Sequence, residues 1–100
     1  MALIHRLIQA PSETTRAMLA RRMGLRKDEA VPGPWGAVLL VQGQVADLFA
    51  AVDVGAKAAP VSVREVWGNC PQHLNTVAFW GTAADVRQVL SALKNEGVLA

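Results

Sequence analysis

Residues 36–67, GAVLLVQGQVADLFAAVDVGAKAAPVSVREVW, decide the fold of this chain. The run Ala37–Val41 is unbroken and apolar and lies between glycines, which predicts a strand covered on both faces. A helix is expected from about Gln44 to Ala59. There Val45, Leu48, Phe49, Val52 and Ala56 follow the i, i+3, i+4, i+7 spacing of one buried stripe, leaving Asp47, Asp53 and Lys57 off it. Pro60 ends that helix and opens a second strand, VSVREVW at 61–67.

Working outward, NTVAFWG at 75–81 reads as a further strand. Only a short loop separates it from the last, so the two form an antiparallel hairpin. Thr82, with Asp85 three residues on, marks the start of a helix in which Val86, Val89, Leu90 and Leu93 repeat the core spacing and which Gly97 closes. On the amino-terminal side, residues 2–9 (ALIHRLIQ) fit a strand, and Ser12 caps a helix that Gly24 terminates. Residues 28–35, DEAVPGPW, form the connector, since two prolines around a glycine neither continue a helix nor sit in a central strand. The order is strand–helix, linker, strand–helix–strand, loop, strand–helix. It implies one α+β domain over 1–100, a ferredoxin-like layering of a four-stranded, mainly antiparallel sheet with helices covering it. Its parts are 2–27, the linker 28–35 and 36–97.

Composition narrows the function. Just over half of the 100 residues are apolar and 18% are charged, which excludes a disordered segment. So much Val, Leu and Ala in a short chain suggests apolar surface buried against other subunits. The net charge is only +2. Arg16, Arg21, Arg22, Arg26 and Lys27 cluster, but no aromatic residue is interleaved with them, so a nucleic-acid platform lacks its stacking half and a solvated basic face is the plainer reading. No apolar run approaches the roughly 20 residues of a membrane helix. The amino terminus has no secretory signal, and with a lone cysteine this points to the reducing cytosol.

There is no phosphate-binding or dinucleotide glycine motif, no zinc spacing and no convincing carboxylate pair. What remains is the loop between the last two strands, Gly68-Asn69-Cys70-Pro71-Gln72-His73, which holds the single cysteine. A Cys–His nucleophile is one reading, but such a histidine usually comes from a distant segment, and no enzyme activity is expected. A structural core cysteine fits poorly among Gly, Asn, Pro, Gln and His. A metal site fits better: Gly68 permits a tight turn, Pro71 fixes φ, and Cys followed by Pro occurs at iron–sulfur ligation sites. One thiolate per chain cannot hold a cluster, so several chains must contribute, which requires a symmetric ring with these loops on its axis.

Residues 36–67 resemble the strand–helix–strand of bacterial microcompartment shell domains, and 75–97, NTVAFWGTAADVRQVLSALKNEG, resemble their next strand, Gly-led turn and helix. The resemblance implies a cyclic hexamer that tiles with other shell proteins into a shell in the cytoplasm, its hairpin loop lining a central pore. Lys57, in VGAKAA, matches the lysine such domains use at hexamer–hexamer edges, where an ordinary solvated lysine is the plain alternative. The strand and helix at 2–23 normally come last, so the chain resembles the circularly permuted subgroup of ethanolamine and propanediol compartments. Relatives of that kind often carry an extra leading strand that forms a barrel over the pore. The chain begins at the first shell-domain strand, and no barrel cap is expected.

GNCPQ, Gly68 to Gln72, resembles the pore loop of shell proteins from glycyl-radical-enzyme propanediol compartments. That implies an iron–sulfur cluster, a 4Fe-4S cluster shared between subunits, with Cys70 as ligand and Asn69, Gln72 and His73 hydrogen-bonding to sulfur or lining the opening. Six symmetry-related thiolates do not match four irons; either some are unused or the ring departs from sixfold symmetry. Two rivals stand beside this reading. One is a plain shell tile whose pore passes a small metabolite without a cluster. The other is a small regulatory ferredoxin-like module binding a ligand at a dimer interface.

Overall fold

In the computed structural model, which describes residues 3–25, 34–68 and 74–99, the apolar run of residues 37–41 lies inside the sheet. The elements in chain order are β1 (Ile4–Gln9), α1 (Glu13–Arg22), β2 (Ala37–Gln44), α2 (Val45–Ala58), β3 (Ser62–Val66), β4 (Leu74–Gly81) and α3 (Ala83–Asn95). The strands form one four-stranded sheet in the order β1-β2-β4-β3, and each neighbouring pair is antiparallel. Because β2 and β3 both oppose β4, they run parallel to one another with β4 between them. α2 makes the crossover, which is the split β-α-β of the expected ferredoxin-like fold.

Strand alternation divides the core in two. Leu39, Val41, Val77 and Phe79 face one way, against Leu48 and Ala51 of α2 and Val86, Val89 and Leu93 of α3. Val38, Ala78 and Trp80 face the other way, against Leu19 of α1 and Met23 just past it. With both faces of β2 and β4 covered, the sequence has no polar positions to alternate, which explains the continuous run.

The helices begin and end as the sequence predicts. Ser12 Oγ accepts the Thr15 amide at 3.1 Å and Thr82 Oγ1 accepts the Asp85 amide at 3.1 Å, each satisfying a donor the first turn leaves free. Gly24, with φ +76°, follows α1.

The buried stripe of α2 differs from the expectation. Leu48, Ala51 and Gly55 are buried and Val52 is partly so, whereas Val45 and Phe49 are 44% and 55% exposed and Ala56 is exposed. The periodicity fits two neighbouring stripes that share Leu48 and Val52. Closeness to the sheet selects the one with smaller residues: a Cβ at Gly55 would stand 2.5 Å from Phe79 Cε1.

The connector 28–35 falls largely outside the described residues, but its last residue is packed. Trp35 stacks on Trp80, with ring centroids 5.1 Å apart and planes 13° apart. At the other end of the chain, the Leu3 amide donates to the Val98 carbonyl at 2.7 Å and Leu3 bridges Leu99 in parallel, so the stretch after α3 meets the start of β1.

Candidate cysteine-loop site

The strand register places the cysteine loop. Val66 pairs with Thr76, so the β3–β4 connection leaves the sheet at the end where Gln44 pairs with Leu74 and α2 begins. Gly68 is exposed; Asn69, Cys70, Pro71, Gln72 and His73 lie outside the described residues. What is described is the root of the loop.

That root is held by α1. The Trp67 amide donates to the Arg22 carbonyl at 2.7 Å, and Arg22 Nη1 donates back to the Trp67 carbonyl at 3.1 Å. One residue further along, the Met23 carbonyl accepts from Arg64 Nη1 at 3.4 Å. The last carbonyls of a helix have no partner within it, so the exit of β3 supplies donors that the end of α1 lacks. The Trp67 ring then lies over Gly24, where a Cβ would stand 3.0 Å from its Cη2 atom and the positive φ already disfavours any other residue. Trp67 is nevertheless 62% exposed. Sequence reasoning missed this clamp, because Arg22 and Trp67 are 45 positions apart and neither belongs to a local motif.

Lys57 lies in the last turn of α2, which carries it to the opposite end of the sheet from the loop. Its Nζ is 2.7 Å from Asp53 Oδ2, and both side chains are mainly in solvent, at 75% and 65% exposure. An exposed i, i+4 pair of this kind contributes roughly 0.3–0.5 kcal/mol, so the fold has little need of either residue.

Among the described residues, no group of three or more His, Cys, Asp or Glu side chains could hold a metal ion, and no polar or charged side chain is buried. The donor in the cysteine loop is of the right kind, a thiol, but each chain has only one.

No family model and no curated protein matches the chain. Solved structures do. The ligand-free GrpU microcompartment shell protein from Pectobacterium wasabiae is 32% identical with a TM-score of 0.67, the match covering 90% of this chain and 98% of that one. The chain belongs to the GrpU microcompartment shell proteins. The ligand-free GrpU shell protein from Clostridiales bacterium 1_7_47FAA has a TM-score of 0.65 at 22% identity, covering 93% of this chain and 92% of that one, and adds agreement in fold. The shell-domain resemblance of residues 36–67 and 75–97 is thus borne out, and its role is that of a GrpU-type shell protein. Among the described residues, no helix is long and apolar enough to cross a membrane.

Proposed function

We propose that this GrpU-family chain assembles as a cyclic hexamer in the shell of a bacterial microcompartment. Its loops, Gly68 to His73, converge on a central pore, where Cys70 thiolates from several subunits ligate one iron–sulfur cluster. The observation that carries this reading is the clamped hairpin: a loop with the chain's only cysteine, at one end of the sheet, its root tied to α1 by the Arg22–Trp67 pair. The cysteine's partners are then symmetry copies of itself. A bound cluster supplies a one-electron carrier within the shell wall.

The protein's part is positional. Cys70 presents the thiolate, Gly68 and Pro71 set the path of the loop, and Asn69, Gln72 and His73 offer hydrogen bonds to sulfur or edge the opening. The role is to pass electrons across the shell or to govern cluster delivery through it, without enzymatic turnover. The microcompartment is of the glycyl-radical propanediol type, located in the cytoplasm, and other shell proteins adjoin the hexamer through an edge that includes Lys57.

We further read the chain as a circular permutant. Its support is the Leu3–Leu99 bridge, which puts the two ends of the described chain side by side, so that β1 and α1 can follow α3 in a relative without rearranging the sheet.

The test is anaerobic purification with iron and acid-labile sulfide analysis, sedimentation and a visible spectrum. Brown hexameric protein that Cys70→Ser bleaches without changing its mass is expected. Colourless, iron-free hexamer after anaerobic reconstitution refutes the cluster and leaves a plain tile with a metabolite pore. A two-subunit mass refutes the ring.

A further inference from the structure

The basic cluster on α1 lacks aromatic neighbours in sequence, but the fold brings it one. Trp67 arrives from the end of β3, and with Met18, Arg21 and Arg22 it lines a solvent-open groove of about 340 Å³. That volume is at the lower end of small-ligand sites, which run from about 300 to 1,000 Å³. An exposed indole beside two guanidinium groups offers a stacking surface and a fork for a phosphate in one place. The cations are not neutralised internally. Among the described residues the one ion pair is Lys57 with Asp53, far from the groove, and Arg22 spends one nitrogen on the neutral Trp67 carbonyl. Arg21 is exposed, and its guanidinium has no hydrogen-bond or ion-pair partner among the described residues.

We propose that this groove binds a mononucleotide-class ligand, an aromatic heterocycle carrying a phosphate, with the ring on Trp67, the phosphate on Arg21 and Arg22, and the thioether of Met18 against the edge of the ring. Bulk anion attraction alone would not explain the tryptophan. Trp67 is 62% exposed although its backbone is tied at both the amide and the carbonyl, so the side chain is held at the surface by a fixed main chain. The site stands at the root of the cysteine loop and needs no cluster in that loop.

Adenosine 5′-monophosphate is the probe, measured by equilibrium dialysis against the assembled protein at low salt, with adenosine, inorganic phosphate and a deoxyadenylate decamer in parallel. AMP is expected to bind saturably and at least about tenfold more tightly than adenosine or phosphate alone, the ring and the phosphate each adding about that factor. Arg21→Gln weakens AMP by roughly tenfold and reduces the salt dependence. Trp67→Leu weakens it similarly, while Trp67→Phe, which keeps a ring and both backbone bonds, stays near the parent. Cys70→Ser binds AMP unchanged, which separates this site from the cluster. Binding of AMP no tighter than phosphate, indifference to Arg21→Gln, or capture of the decamer without AMP overturns the proposal.

Discussion

Trp67 and Arg22 grip each other twice: the Trp67 amide donates to the Arg22 carbonyl at 2.7 Å and the Arg22 guanidinium donates to the Trp67 carbonyl at 3.1 Å. Only the second bond depends on a side chain. Arg22→Met keeps an apolar stem and the backbone bond but removes that donor. The bond is exposed, so its loss is expected to cost about 0.5 kcal/mol, near the low end for an intramolecular hydrogen bond. Thermal denaturation should show a drop of a few degrees, and amide exchange at Trp67 and Gly68 should quicken as the loop root loosens. An unchanged melting curve together with unchanged exchange would mean that the clamp is not what holds the loop.

Gly55 sits where α2 packs tightly over Phe79 of the sheet. In an exposed helix, Gly→Ala is favourable by about 1 kcal/mol. Here the new methyl would stand 2.5 Å from Phe79 Cε1 and 3.0 Å from Val89 Cγ1, and Phe79 is fully buried. Overpacking of a closed core costs about 1–3 kcal/mol and outweighs the helix gain. Gly55→Ala is therefore expected to lower the denaturant midpoint. Phe79→Leu, which makes room, should cost less in the Gly55→Ala background than alone. Additive effects in that double-mutant cycle would rule out the contact as the cause.

These two sites show where the sequence was legible. Strand period and helix caps are local, so the order of elements, the Ser12 and Thr82 caps and the hairpin could all be read from residues a few positions apart. The covered faces of β2 followed from a run with no polar positions. The stripe of α2 could not be assigned in the same way, since Val45 and Phe49 satisfy the helical period as well as Ala51 and Gly55 do. The choice rests on how near the sheet lies. The Arg22–Trp67 clamp and the groove beside it are long-range, and no spacing encodes them. Cys70 stood out by composition, because it is the only thiol.

Phe49 follows from the reassigned stripe. It is 55% exposed beside Val45, on the rim of a pit of about 70 Å³ that also involves Glu65, Asn75 and Val77. A half-exposed phenylalanine adds little to the isolated fold, so Phe49→Ser is expected to shift folding stability by no more than about 0.5 kcal/mol. If subunits of the proposed ring meet over this strip, the same change removes apolar contact area from every interface at once. Sedimentation should then show the hexamer giving way to smaller, still folded species. A stable hexamer at low micromolar concentration would place the subunit contact elsewhere.

Lys57 tests the next level of assembly, because α2 carries it to the opposite end from Val45 and Phe49. Its ion pair with Asp53 is exposed, so Lys57→Ala should change the unfolding free energy by only a few tenths of a kcal/mol. If Lys57 lies at the edge between the proposed hexamers, its loss is expected to suppress extended sheets in electron micrographs while the hexamer mass persists. Asp53→Ala separates the two roles of the lysine. It frees the ammonium from its own helix and leaves it in place for a neighbour, so sheet formation should survive. If Lys57→Ala dissolves the hexamer, the residue belongs to the contacts within the ring; if sheets form normally without it, the lysine is an ordinary solvated side chain.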